Sequence, residues 1–524
     1  MGTLSAAAID LGSNSFHLVV ARVRPERLLE PVYEDKVMLR LGEVVARLGR
    51  FDDEAEARAH EAFERFVSLA RAFGATVIVA AATASFRDAQ NGRDVADALE
   101  ARTGVHVRIL TGHEEASTIF SAVRSAGSIG QVPVVVADLG GGSLELALGT
   151  QRSLLRARSL PLGVGKLSVR YRCSDPPRHD ELARIRAHVE AVAGAELREM
   201  ASFEPRRLVL ASGTFAAIAK VARRLGRVDQ LADGQVLRVV DVASLTGALD
   251  AIVRADREAR IDRLGIDRRR SDTVVPGVLI VRALLDELGV DEVWTSRWAL
   301  REGLLIQAVE EGDAMGFAFD AAELRAGSLR HLMRKYQIEE DHARAVERHA
   351  LALFDGLGGA LELVPEDRDL LAVAALLHDV GAFVSGRNHD RHGAYLLAAD
   401  PPRGLSVRER LVVEGVVGSH RRGAPRSPDA LSTADRDRVA ALAALLRVAD
   451  GLDASHTQVV EGVEVQLEAD EIRLVVHADE ALGAERVALE TKTELLSSLL
   501  GRRVELDVVP VARDGAARAR SVLD

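Results

Sequence analysis

The chain has 524 residues, 48% of them hydrophobic and 28% charged, with a formal net charge of −11. One hydrophobic core serves ~100–200 residues, so about three or four domains are expected, and the acidic balance argues against a general nucleic-acid or membrane-surface binder. A single cysteine, Cys173, excludes an internal disulfide and any CxxC zinc or redox motif, and fits a reducing cytoplasm; no apolar run is long enough to span a bilayer, and no secretory leader is expected before Ala6.

Up to about residue 310, short β-branched runs alternate with amphipathic helices. Ala6–Asp10, Val77–Ala81, Val132–Asp138, Leu208–Ala211 and Val290–Thr295 read as strands, and Asp53–Phe73, Asp180–Met200 and Val242–Arg260 as helices. This alternation argues an α/β fold. From about 318 to 456 the pattern is almost wholly helical, with apolar faces opposite charged ones. Residues 457–524 return to β patterning at Val463–Leu467, Ile472–Val476 and Val504–Val508, with a helix over Ala481–Leu500.

The most informative feature is an internal repeat, about one domain apart. Residues 9–20 read IDLGSNSFHLVV and residues 137–148 read ADLGGGSLELAL, so Asp10 aligns with Asp138, Gly12 with Gly140 and Ser15 with Ser143. Each copy predicts an apolar strand, a carboxylate at its end, a tight turn and an alternating second strand. Gly12, Gly140, Gly141 and Gly142 let the backbone approach a ligand, successive N–H groups in such a turn form an anion nest, and Ser13, Ser15 and Ser143 add hydroxyls. The aspartates are suited to holding Mg²⁺ rather than phosphate itself. A third segment, Leu208–Lys220, predicts a strand, a Ser212–Gly213–Thr214 turn and a helix, readable as an anion site or as a plain helix cap.

With KVMLRLGE (36–43), ATASFRDAQNG (82–92), TGHEEA (111–116) and SLPLGVGKL (159–167), these motifs resemble the exopolyphosphatase/guanosine pentaphosphate phosphatase family, within the sugar kinase, Hsp70 and actin superfamily. The resemblance implies a two-lobed, actin-like (ribonuclease H-like) α/β duplication with lobes at 1–125 and 126–312. It implies a cytoplasmic hydrolase, resembling homodimers, that takes terminal phosphate from polyphosphate or guanosine pentaphosphate. Glu115 matches the catalytic base, with Glu114 as an ordinary acid at a helix start. Arg87 matches the phosphate-binding arginine and Asp138 and Asp10 the Mg²⁺ site. Ser13, Asn14, Ser15, Gly140–Ser143 and Ser212–Thr214 become the phosphate contacts. A regulatory nucleotide sensor is the alternative of a different class; an intact Glu115 and Arg87 argue for chemistry.

In the helical region, EEDHARAV, ALLHDVG, HDRHGAY and LLRVADGLD place His342, His378–Asp379 and Asp450 in the order of an HD-domain phosphohydrolase. The resemblance implies an all-α HD-like domain over 313–456, before a small α+β domain at 457–524. Imidazole with carboxylate suits Mn, Fe, Co, Ni or Zn; His392 and His420 are further candidate ligands for a second metal. An inert scaffold is the competing reading. Arg421, Arg422 and Arg426 form a small basic cluster, a solvated loop or a contact for the tail of a long polyphosphate.

Overall fold

The computed structural model describes residues 4–24, 29–226, 236–312, 321–478 and 482–510. The chain divides into two compact units, which part between Gly327 and Ser328.

The first unit holds two sheets built to one plan. β1 (Leu4–Leu11), β2 (Ser15–Val23), β3 (Leu29–Met38), β4 (Val77–Ala82) and β5 (Val107–Ile109) stand in the order β3-β2-β1-β4-β5. β6 (Val134–Leu139), β7 (Leu144–Gly149), β8 (Leu154–Leu160), β9 (Arg207–Ala211), β10 (Leu237–Val240) and β11 (Glu292–Ser296) stand in the order β8-β7-β6-β9-β11-β10. In each sheet three antiparallel strands come first; a later strand then pairs in parallel with the first of them, and a second pairs in parallel with that one. The sequence repeat is therefore a repeat of topology, and β10 is an antiparallel addition at the edge of the second sheet.

Strand alternation sorts each sheet into two faces. Ala7, Ile9 and Leu11 of β1 enter a core shared with α1 (Leu41–Leu48), α2 (Asp53–Ala72), α3 (Ala84–Asp88) and α4 (Gly92–Thr103). Val135, Ala137 and Leu139 of β6 enter a second core. That core is completed by α6 (Val164–Arg170), α7 (His179–Ala201), α8 (Gly213–Gly226), α9 (Val242–Arg254) and α11 (Val274–Leu288), with α10 (Arg257–Asp262) alongside. Asp10 and Asp138 have the opposite parity and so lie on the other faces.

Those faces are covered by exchange. α5 (Gly112–Ala126) follows the first sheet in the chain but packs on β6, β7 and β8 of the second. α12 (Leu300–Gly312) follows the second sheet but packs on β1, β2 and β4 of the first, and the two helices pack on each other. They cross at Gly303, where a Cβ would stand 2.3 Å from the carbonyl oxygen of Thr118; Gln307 Nε2 donates to Thr118 Oγ1 at 3.0 Å.

The second unit begins within α13 (Ala321–Lys335) and continues through α14 (Glu340–Leu357), α15 (Asp367–Leu377), a 3-10 turn (Val380–Phe383), α16 (His389–Ala399), α17 (Val407–Val417) and α18 (Thr433–Gly451). β12 (Val460–Leu467), β13 (Glu471–Ala478) and β14 (Arg503–Pro510) form a three-stranded sheet, with α19 (Gly483–Lys492) and α20 (Glu494–Leu500) between the last two. Gly356 brings α14 against β12, since a Cβ there would lie 2.6 Å from Val465 Cβ. No described helix is long and apolar enough to cross a membrane.

The elements differ from the expected ones in identifiable ways. The helix expected over Val242–Arg260 is two helices, because Ala255 is extended and Asp256 caps a new one through Ala259 N at 2.8 Å. The start expected at Ala481 lies outside the described residues; the rest of that helix is interrupted at Thr493, whose Oγ1 donates to Leu489 O at 2.7 Å. β3, β5, β8 and β10 escaped the pattern because they are short or lie towards sheet edges with polar, part-exposed residues.

Gly303→Ala is expected to force α5 and α12 apart, because a backbone carbonyl cannot yield as a flexible side chain does. Overpacking of this kind costs typically about 1–3 kcal/mol. Denaturant unfolding should show an earlier midpoint for the first unit, and an unchanged midpoint would mean that the helices do not approach this closely.

Candidate active site

The two hairpin tips meet. A Cβ on Gly141 would lie 3.1 Å from Asn14 Cβ, a tight fit, and one on Gly142 would lie 2.6 Å from Ser13 Oγ and 2.9 Å from Ala84 Cβ, where there is no room for it. Each tip is held from behind by a helix start. Gly42 N donates to Ser13 O at 2.7 Å, and Leu39 N and Arg40 N donate to Asn14 O. In the matching place of the second copy, Gly165 N donates to Gly141 O at 3.0 Å and Val164 N to Gly140 O at 3.0 Å. The carbonyls are thus consumed, whereas the N–H groups of Ser13, Asn14, Gly141 and Gly142 have no protein acceptor among the described residues. An open cleft runs past Ser13, Asn14, Gly42, Gly141, Gly165 and Thr273.

Four carboxylates share the inward face. Asp10 pairs with His17 across β1 and β2, and Asp138 pairs with Glu145 across β6 and β7. Glu115 comes from α5, and it and Glu145 are buried. Asp10 and Asp138 are part-exposed as residues, but Asp10 Oδ1 is enclosed and has no hydrogen-bond partner. Burial, with Glu115 next, pushes Asp10 up to about 8. Burial, then Glu115 and Glu302, pushes Asp138 up to about 7. Burial and Glu115 hold Glu145 well above the usual carboxylate range, and burial raises Glu115 against the pull of Arg87.

Cations stand opposite. Arg87 Nη1 donates to Leu110 O at 2.8 Å and to Glu115 Oε2 at 2.7 Å, which leaves Nε and Nη2 for another anion. Arg301, at the start of α12, lies 3.3 Å from Glu302 and 3.7 Å from Glu34, and its charge acts on Asp10 and Asp138. Lys36, opposite His17 on β3, is lowered to about 8 by burial, then by Arg270 and Arg301. Burial, with the same arginines and Lys36, drives His17 well below its ordinary value, and its Nε2 lies 2.7 Å from Ser15 Oγ. A polyanion entering this acidic protein meets a local cluster of positive charge.

The remaining expected residues divide. Glu114 closes a capping box with Thr111, and the Thr111 N–H to its carboxylate, at 2.7 Å, holds it low. Ser13 Oγ accepts from Ser85 N at 3.1 Å, and Ser143 bonds Glu145, so these hydroxyls organise the tips. Ser212 caps α8: its Oγ accepts from Phe215 N at 3.3 Å, and its φ is 110°. Gly213 lies against Arg270, and Thr214 is buried against Gly277. Five residues absent from the expected set join it: His17, Lys36, Glu145, Arg270 and Arg301. Glu145 was visible as an acid inside the apolar run LELAL, at the place that His17 holds in the other copy. Arg301 sits in an unremarkable helix start and carried no signal.

The sequence pattern of the Ppx/GppA phosphatase family matches residues 19–311, more than half of the chain, and that of Ppx/GppA phosphatase domain III matches residues 324–497. The chain belongs to the Ppx/GppA phosphatase family. Exopolyphosphatase 1 of Mycobacterium tuberculosis is 29% identical over 303 residues, 58% of this chain and 87% of that protein. A guanosine-5'-triphosphate,3'-diphosphate pyrophosphatase of Pseudoalteromonas atlantica is 27% identical over 417 residues, 79% of each chain. The solved exopolyphosphatase of Cytophaga hutchinsonii superposes with a TM-score of 0.55 at 23% identity, covering 59% of this chain and 98% of that one. The Ppx/GppA family member of Aquifex aeolicus gives 0.51 at 24%, covering 60% and 99%. These likenesses bear out the two-lobed actin-like fold.

This Ppx/GppA chain carries a second cluster in its helical unit. His342 Nε2 lies 3.2 Å from His378 Nε2, and 3.9 Å from both Asp379 Oδ2 and Asp450 Oδ1. His378 Nε2 lies 3.6 Å from Asp379 Oδ1 and 4.0 Å from Asp450 Oδ1. The four expected residues therefore converge. Lys492 pairs with the other oxygen of Asp450, and Asp453, missed in the sequence, receives His342 Nδ1 at 2.8 Å. His389, not His392, joins His420, because α16 begins at His389 and points that residue inward. Arg421, Arg422 and Arg426 are exposed, and Arg426 lies 3.6 Å from Asp390.

Burial raises both Asp10 and Asp138, so if this pair holds a divalent cation each must first lose a proton. Cation binding should release protons, and Mg²⁺ affinity should tighten as pH rises from 6 to 8, by about tenfold per pH unit for each carboxyl still protonated. It should level off above that range. Calorimetric titration in two buffers of different ionisation enthalpy measures both effects, and an affinity independent of pH would place the cation elsewhere.

Proposed function

We propose that the chain is a phosphoanhydride hydrolase that releases terminal orthophosphate from inorganic polyphosphate. The observation that carries this reading is Glu115, held by Arg87 on the face of Asp10, Asp138 and Glu145, beside tips whose N–H groups have no protein acceptor. The name of the mycobacterial relative supports it.

In this reading the N–H groups of Ser13, Asn14, Gly141 and Gly142 seat the terminal phosphate. Glu115 orients and deprotonates the attacking water, and burial, which raises it against the pull of Arg87, makes it a stronger base than a free carboxylate. Arg87 keeps Glu115 in place through Nη1 and turns its free donors to the phosphate. The oxygen-only pair Asp10 and Asp138, one oxygen of it enclosed and unpartnered, fits Mg²⁺. When bound, that ion neutralises charge on the phosphate oxygens. Glu145 fixes Ser143 and Ser159. Lys36, Arg270 and Arg301 receive the following phosphates, and Ser212–Thr214 enters only as the turn that carries Arg270's neighbour.

The second reading is a guanosine pentaphosphate 5′-phosphatase. It is favoured by the Pseudoalteromonas relative, whose similarity covers 79% of the chain and so extends past the first unit. For the helical region the reading is an HD-like domain over 313–456 that holds one transition metal on His342, His378, Asp379 and Asp450, followed by a small α+β domain at 457–524. Cytoplasmic residence and homodimeric assembly belong to the same proposal and rest on the family resemblance.

Phosphate release from polyphosphate and from guanosine pentaphosphate, side by side with Mg²⁺, tests the activity; release from neither overturns it. Glu115→Gln should keep the apparent Michaelis constant and lose about 10²–10⁴-fold in turnover. Glu114→Gln should lose only capping stability, on the order of 1 kcal/mol. Equal turnover losses at the two positions would remove Glu115 as the base.

A further inference from the structure

We infer that the helical unit holds a binuclear metal centre, bridged by Asp379 and completed by His389 and His420, that hydrolyses a phosphate ester independently of the first site. The inference rests on the one-metal reading of His342, His378, Asp379 and Asp450 and extends it by a second ion and a reaction.

The first argument is the tautomers. His378 Nδ1 lies 2.8 Å from Ala375 O, His420 Nδ1 2.7 Å from Val417 O and His389 Nδ1 3.0 Å from Gly386 O. Carbonyls only accept, so each Nδ1 carries the hydrogen and each Nε2 is left to a ligand. Asp453 does the same for His342. This is the arrangement behind metal-bound imidazoles, where the far nitrogen is fixed by an acceptor. The Nε2 atoms then face one another in two pairs, His342 with His378 at 3.2 Å and His389 with His420 at 2.9 Å. Two lone pairs at that distance repel, and so do two N–H groups. His378 and His420, whose Nδ1 atoms meet only carbonyls, are fully buried, where a bare imidazolium is costly. A cation between the members of each pair satisfies both nitrogens.

The second argument is the shared carboxylate. Asp379 Oδ1 lies 3.6 Å from His378 Nε2, 3.3 Å from His389 Nε2 and 3.8 Å from His420 Nε2. Ligand atoms around one ion, at bonds of roughly 2.1 Å, are separated by about 3.0–3.6 Å. One aspartate thus serves two groups, with Asp450 closing the first. Two ions on a common carboxylate stand roughly 3.5–4 Å apart, the spacing that two-metal phosphate chemistry uses. Asp379 and His389 keep 25% and 21% side-chain exposure, so the centre opens to solvent on their side.

The third argument is the rim. Arg387 and Arg391 flank His389, and Arg421 and Arg422 follow His420; all four are exposed, and none forms an ion pair among the described residues. A centre with a cationic rim selects an anionic substrate. A metal-bound water attacks phosphorus, the new P–O bond forms as the ester P–O bond breaks, one water proton passes to the leaving oxygen and the other stays on the phosphate. No redox partner is needed.

The test uses the full-length protein loaded with Mn²⁺. With excess Mg²⁺ present to occupy Asp10 and Asp138, metal analysis should find two Mn²⁺ ions per chain, and electron paramagnetic resonance should show an exchange-coupled pair. His420→Ala should leave one uncoupled ion. Loss of a partner behind a ligand costs roughly 10–100-fold, so removing the ligand should cut hydrolysis of p-nitrophenyl phosphate or bis(p-nitrophenyl) phosphate by about 100-fold or more. Phosphate release from polyphosphate with Mg²⁺ should be unchanged. The two esters distinguish a monoester from a diester substrate. His389→Asn, at the open side, is the second variant should His420→Ala not fold. One ion that survives both substitutions and leaves with His378→Ala would overturn the binuclear centre while the one-metal reading stands. No ion at all would overturn both. Two ions with neither ester cleaved would overturn the hydrolytic step.

Discussion

Four carboxylates on one desolvated face repel one another, and the first unit is arranged around holding them there. The parity of β1 and β6 is the first device. A slip of one residue would turn Asp10 and Asp138 into the cores and expose Ile9 and Ala137 to the inward face. The exchange of α5 and α12 is the second. It carries Glu115 from the first half of the chain to the second sheet, and Arg301 from the second half to the first. The helices bring the charges that the strands cannot supply, and Gly303 sets how closely they do so.

The resulting balance is deliberately incomplete. Arg87 and Arg301 offset part of the negative charge, yet Asp10 and Asp138 remain raised to about 8 and about 7. A site fully neutralised by its own arginines would have no affinity left for a divalent cation. A site with no arginines would bind the cation but repel the phosphate chain that must share it. On the proposed reading, the partial compensation leaves room for both a divalent cation and the phosphate chain.

This also explains what was legible beforehand. The hairpin pair could be read because its signal is redundant: Asp, Gly and Ser recur in order, on strands whose period is fixed. Glu115 was singled out by the family resemblance of TGHEEA, with Glu114 read as an ordinary acid at a helix start, where it closes a capping box with Thr111. Glu145 and Arg301 were not placed, since each is a single residue whose meaning depends on which face it occupies and what lies across from it. Strand parity was available for Glu145, and only the packing of α12 reveals Arg301. The same limit operates in the helical unit. His392 and His389 are three residues apart, and the choice between them is set by helix phase at the start of α16. The break at Asp256 is likewise a cap that a continuous helical period conceals.

The two clusters differ in a way that keeps them chemically separate. The first offers carboxylate oxygen, which suits a hard ion that gives up its water reluctantly. The second offers four imidazole nitrogens with two carboxylates, a set that favours borderline transition metals over Mg²⁺. Abundant Mg²⁺ therefore competes poorly at the histidines, while a scarce transition metal is drawn away from the aspartates by the nitrogen-rich set. On the proposed readings, donor type therefore helps one chain keep two metal sites apart, together with the geometry of each set and the metal available.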